Sequence, residues 1–183
     1  MSQQPLGEAL IGVFNRVFQA AEATILCGGA VEPYYEPGAP SIIYFREDFD
    51  RSALHEVAHW CVAGPVRRSL PDYGYWYAPD GRDAEQQSAF YSVEVKPQAI
   101  EALFCEALDL TFAVSVDNLT VDHNCPEIID FRLAVDRQII RFRQQGLPDR
   151  ARRFNEALAL LACLLYTSPS PRDLSTSRMP SSA

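Results

Sequence analysis

Two of the three histidines in this chain stand four residues apart, in His55-Glu56-Val57-Ala58-His59. On a helix that spacing sets both imidazoles on one face, where they can hold a single metal ion. The plain alternative is a helix carrying two exposed histidines and no metal; chance produces the pattern in a chain of this composition only about once in 500. A metal needs a third protein ligand, and the acids downstream are Asp72, Asp80, Asp83, Glu85, Glu94, Glu101 and Glu106. Glu94 stands out because Tyr91-Ser92-Val93-Glu94-Val95-Lys96 sets it among apolar residues. A carboxylate is stable there only when paired with a cation or a metal. A salt bridge to Lys96 or to an arginine is the competing reading of Glu94. His123 is a rival ligand, but it stands in the polar stretch Asp122-His123-Asn124 and reads as solvated.

A second cluster follows the first. Tyr73-Gly74-Tyr75-Trp76-Tyr77 leads to Asp80-Gly81-Arg82-Asp83, with Asp72 just ahead. Ring faces and carboxylates together attract an ammonium group, so Tyr75, Trp76, Asp80 and Asp83 are candidates to surround a lysine side chain. The alternative is an aromatic loop packed on the core, with Asp80-Gly81 as its turn.

These residues need a frame to hold them. Leu6, Leu10, Val13, Phe14, Val17, Phe18 and Ala21 recur at helical spacing and predict a helix over 6–22. Two short strands, 24–27 and 41–45, flank a proline-rich turn. Asp50 or Ser52 can cap a helix that carries both histidines and runs to Val62, where Gly64-Pro65 stops it. Its Leu54, Val57, Ala58 and Cys61 supply apolar packing. Residues 71–83 read as loop or short strand. Helices follow at 83–92 and 97–109, with Pro97 either at a first helical position or kinking one longer helix. Two more span 126–145 and 149–165. Their arginines, from Arg132 to Arg153, read as a solvated face over acidic neighbours. The fold class is α+β: a mostly helical single domain with a small β-sheet.

Length and composition set the outer bounds. At 183 residues the chain is one domain with a tail. From Tyr166 to Ala183, 11 of 18 residues are Ser, Thr or Pro with no apolar periodicity. The domain is therefore expected at 1–165, with a disordered, non-native tail at 166–183. Sixteen basic against 24 acidic side chains give a net charge of −8, which argues against direct nucleic-acid binding. Residues 1–120 alone carry −10, a surface suited to a cationic substrate. The longest apolar run, nine residues from Ala157 to Leu165, is too short to span a membrane. With no signal peptide and five cysteines lacking any CxxC pair, a cytoplasmic protein with reduced thiols is expected.

The stretch from His55 through Gly64 and Arg67-Arg68 to Asp72-Tyr73-Gly74-Tyr75-Trp76-Tyr77-Ala78-Pro79-Asp80-Gly81-Arg82-Asp83 resembles the bacterial elongation factor P hydroxylases. So do Val93-Glu94-Val95-Lys96-Pro97-Gln98-Ala99 and Val116-Asp117-Asn118-Leu119. The resemblance covers residues 5–163 and implies oxygen-dependent hydroxylation of the modified lysine of elongation factor P. It implies a zincin-like, metallopeptidase-like fold around the HExxH helix, with His55, His59 and Glu94 as metal ligands. Two histidines and a carboxylate with open positions suit a non-haem Fe(II) oxygenase. Zinc or another divalent ion fits the same ligands, but hydroxylating an unactivated carbon needs a redox metal and molecular oxygen. Glu56 is the catalytic candidate, with orienting water, relaying a proton or anchoring a ligand as its possible roles. Two alternatives share the residues: a zinc metallopeptidase with Glu56 as general base, and a non-catalytic binder of a translation factor.

Overall fold

The computed structural model describes residues 6–47, 49–75, 84–116 and 125–167. Helix α1 (Leu6–Glu22) leads into β1 (Thr24–Ala30), β2 (Tyr34–Glu36) and β3 (Ser41–Arg46). Helix α2 (Asp50–Val62), the short α3 (Pro65–Arg68) and a 3₁₀ turn (Pro71–Gly74) follow. Three long helices complete the chain: α4 (Ala84–Ala107), α5 (Pro126–Gln145) and α6 (Asp149–Thr167). The α+β class holds.

The sheet has the order β1-β3-β2. β1 runs parallel to β3 with Leu26 opposite Ile43, and β2 runs antiparallel with Tyr35 opposite Ile43. Leu26 also gives its N–H to the Asn15 side chain of α1 (2.8 Å), and Tyr35 gives its N–H to Asp72 (2.7 Å). Leu26, Ile43 and Phe45 point inward and are fully buried. At Gly28 the backbone passes so close to the Phe45 ring that a Cβ would lie 2.8 Å from it.

The apolar stripe of α1 explains its place. Phe14 and Phe18 meet the indole of Trp60 at 5.3 and 4.8 Å, and Phe154 of α6 joins Phe14 at 5.7 Å and Phe104 of α4 at 5.1 Å. Edge-on aromatic contacts of this kind add to the large area such rings bury. Helix α2 is thereby held on one side by α1 and α6, and packs on β3 and α4. A second apolar cluster, Ala99, Val116, Ile128, Phe131 and Val135, joins α4 to α5.

Several local expectations change. Neither Asp50 nor Ser52 caps α2: the cap position is Phe49, with no side-chain bond. Ser52 instead accepts the N–H of Arg46 at the end of β3, and Asp50 accepts that of Arg51. The proline-rich turn contains a third strand, β2. Of the two readings at Pro97, the single longer helix holds, with the proline inside it. The last helix runs two residues past its expected end, to Thr167; residues 168–183 of the tail lie outside the described residues. All five cysteines are thiols. Among the described residues no helix is long and apolar enough to cross a membrane.

Candidate metal centre

Helices α2 and α4 lie side by side, and their facing polar residues form a ladder. Along α2 the spacing i, i+4, i+8 lines up Arg51, His55 and His59. Along α4 the spacing i, i+4, i+7 lines up Glu94, Gln98 and Glu101 on one face. The helices run in opposite directions, so Arg51 and His55 meet Glu101 while His55 and His59 meet Glu94.

The upper rungs converge on a point. His59 Nε2 is 3.1 Å from His55 Nε2 and 3.1 Å from Glu94 Oε1, and His55 Nε2 is 3.5 Å from Glu94 Oε2. With metal bonds of about 2.1 Å, two donors on one ion stand about 3.0 Å apart at right angles and about 3.4 Å at tetrahedral angles. Two of the three separations fall in that range and the third lies about 0.1 Å beyond it, so one divalent ion fits these donors with little movement. Among the described residues this is the group of His, Cys, Asp and Glu side chains close enough together to hold an ion.

Glu94 is buried and Gln98 beside it is buried too. Gln98 donates from Nε2 to Glu94 Oε2 (3.3 Å) and to the Ser115 carbonyl (2.7 Å), and accepts the Ser115 N–H at 3.0 Å. The described ion-pair partners of Glu94 are the two histidines, and no ion pair with Lys96 or an arginine is among them. Burial disfavours the charged carboxylate, but His59, His55 and Gln98 outweigh it and hold Glu94 down at about 2. Burial likewise opposes a charged His55, yet the Glu101 hydrogen bond and the charges of Glu94, Glu101 and Glu56 raise it to about 10. Glu56 faces the same space, and burial chiefly pushes its carboxyl above the usual range, against the pull of both histidines.

A cavity of about 920 Å³ opens over these groups. Carboxylates outnumber guanidinium groups on its wall: Glu32, Glu56, Asp72, Glu94 and Glu101 against Arg46 and Arg51. Tyr73 and Tyr75 form part of the same wall. The Tyr73 ring stacks on Tyr35 at 4.4 Å, and the Arg67 guanidinium covers Tyr75 at 4.2 Å. Asp72 and Tyr73 both adopt positive φ (46° and 59°), a costly conformation for side-chain-bearing residues. Asp72 is held in it by the Tyr35 N–H, which keeps the tyrosine loop against the cavity. Of the expected ammonium-binding residues, Tyr75 is therefore at the site; Trp76, Asp80 and Asp83 lie outside the described residues, as does the rival ligand His123.

Sequence reasoning counted Glu101 among the downstream acids without singling it out, and passed over Gln98. Their signal was the i, i+4, i+7 series from Glu94, which exists only on the reading that carries one longer helix through Pro97. The expected arginine face is only partly one. Arg143 meets Glu106 and Arg152 meets Asp149 and Glu156, whereas Arg150 turns inward to the carbonyls of Cys61 and Ala63 at the end of α2.

Comparison with known proteins agrees with the motifs. Residues 13–168 match the family described as elongation factor P hydroxylase. Over 155 residues, 82% of this chain and 86% of the relative, the sequence is 43% identical to an elongation factor P lysine hydroxylase of Haemophilus influenzae.

Proposed function

The chain belongs to the elongation factor P hydroxylase family, and from that premise we propose that it hydroxylates the modified lysine of elongation factor P with a metal held by His55, His59 and Glu94. One observation carries the assignment of the site. Three donors 3.1–3.5 Å apart sit beneath a cavity with an acidic wall, the ligand set of non-haem iron oxygenases. His55, His59 and Glu94 would hold an iron(II) ion, which would supply the dioxygen chemistry: one oxygen atom enters the C–H bond, and the other leaves as water with two electrons from an external reductant and two protons.

The remaining work falls to the chain. The carboxylates of the wall attract the cationic lysine side chain through a low-dielectric space. Tyr75, with Trp76, Asp80 and Asp83 of the following segment, holds its ammonium end away from the metal, which selects the carbon presented. Glu56, whose carboxyl burial makes a better proton holder at neutral pH, serves as the proton relay beside the open positions. The HExxH helix packed on β3 is the feature that resembles zinc metallopeptidases. Residues 1–165 constitute the hydroxylase domain, and its substrate places it in the cytoplasm.

The test is mass spectrometry of lysine-modified elongation factor P after incubation with iron-loaded protein and a reductant. Gain of one oxygen atom in air, absent under argon and absent for H55A/H59A, is expected. D80N and D83N should weaken substrate use more than metal content. Peptide cleavage that proceeds equally without oxygen would overturn the reading in favour of a metallopeptidase.

A further inference from the structure

Below the three donors lies a rung that the reaction does not by itself require. Glu101 is almost fully buried, and its Oε2 is 2.9 Å from His55 Nδ1, the ring nitrogen that faces away from the other two donors. Its Oε1 is 3.5 Å from Arg51 Nη2. Arg51 is itself anchored: its other terminal nitrogen donates to the Thr111 carbonyl, and its guanidinium lies 5.8 Å from the Phe112 ring centre. The chain therefore continues from the backbone after α4 through Arg51 and Glu101 to His55.

We propose that Glu101 is a positioning residue that fixes His55 with its proton on Nδ1 and its Nε2 lone pair free for the metal. The inference rests on the metal site proposed above and extends it outward. A carboxylate accepting from one imidazole nitrogen selects the tautomer, locks the ring and strengthens the other nitrogen as a ligand. A plain ion pair with Arg51 accounts for less of the geometry. The bond to the histidine is the shorter by 0.6 Å, and the arginine is already committed to a carbonyl. Glu94 has a counterpart in Gln98, whose amide is pinned at both ends by Ser115. Both supports come from α4, so this one helix supplies a ligand and orients a second ligand on α2.

The test uses the full chain and cobalt(II), whose visible spectrum reports ligand geometry. Dissociation constants come from chelator competition, and the thermal midpoint of the metal-free protein is measured alongside. E101Q keeps an acceptor but loses the charge, and should weaken cobalt binding about tenfold; E101A loses both and should weaken it up to about 100-fold, with a shifted visible band. E101D should recover part of the affinity. The metal-free midpoint of E101Q should fall somewhat at neutral pH, because Glu101 also stabilises charged His55; a shifted cobalt band in protein that is still folded is what a purely structural ion pair does not predict. Wild-type affinity and spectrum in E101Q and E101A, with binding abolished in H55A, would overturn the positioning role and leave the metal site standing. Equal cobalt binding by wild type and H55A would overturn both.

Discussion

Arg150 offers a sharp test of how the site-bearing helix is held. It is the second residue of α6, and its guanidinium donates to the carbonyls of Cys61 (3.2 Å) and Ala63 at the end of α2 while lying 4.6 Å from the Trp60 ring centre. Carbonyls at a helix C-terminus have no partner within the helix, so R150M, which keeps the apolar stem, leaves two of them short of a donor. Hydrogen bonds from a charged donor contribute about 1.5–3 kcal/mol, and a partly desolvated cation over an indole about 0.5–2 kcal/mol. Allowing for water replacing part of this, the loss should be about 2–4 kcal/mol, or about 4–16 °C in Tm for a chain of this size. Differential scanning fluorimetry reads it directly. R150K should recover part of the loss, since one ammonium nitrogen can donate to both carbonyls but lacks the flat guanidinium that lies over the Trp60 ring. Metal stoichiometry should remain that of the wild type, because no ligand is touched. An R150M midpoint within about 2 °C of wild type would refute the argument that α6 caps α2.

In chelator-treated protein, Glu94 is depressed from 4.5 to about 2 and His55 raised from 6.5 to about 10. The Glu94 contribution is present above 4.5 and fades as pH falls towards 2; the His55 contribution is present below 6.5 and fades as pH rises towards 10. The metal-free Tm should therefore be highest between these limits and decline from pH 7 to pH 9, and a rise over that interval contradicts the assignment. Burial pushes the Cys105 thiol up to about 11 and Cys61 higher still, so at pH 8 a thiol reagent should label exposed Cys163 first and reach Cys61 and Cys105 only on unfolding, as peptide mapping will register. Deleting residues 168–183, chosen for their Ser/Pro-rich composition, should leave thermal stability and metal content unchanged; a large loss of either would show that the segment belongs to the domain.

Local pattern carried most of the fold and its chemistry. Helix α2 was legible at its C-terminal end, because its apolar positions and Gly64-Pro65 act within one turn of the chain, whereas its start at Asp50 was not, because no side chain caps it. Strand β2 was not, because Tyr34–Glu36 stands between Pro33 and Pro37 and is a strand only through β3 on one side and Asp72 on the other. The continuity of α4 stayed one of two readings for a related reason. Pro97 lacks an N–H and crowds the preceding turn, a cost that packing against α2, α5 and α6 outweighs. That continuity decides the site: Glu94 precedes the proline and Gln98 and Glu101 follow it, so a break there would have separated ligand from support. The histidine pair and Glu94 could be named from their types and spacing, whereas the way Glu101 meets His55 depends on how two helices cross.

The small sheet has two outer margins, and on each a side chain takes a backbone amide. On β1 the outward N–H of Leu26 is taken by Asn15, and on β2 that of Tyr35 is taken by Asp72. Exposed strand margins recruit other polypeptides as additional strands, in recognition and in aggregation alike. With these amides occupied, extending the sheet with a stretch of incoming polypeptide would first require removing Asn15 or Asp72. Loss of Asp72 would also release the tyrosine loop from its positive-φ conformation. A protein substrate adding its own backbone as a strand would meet Asn15 on one margin and Asp72 on the other, which favours entry of its side chain into the cavity over strand addition.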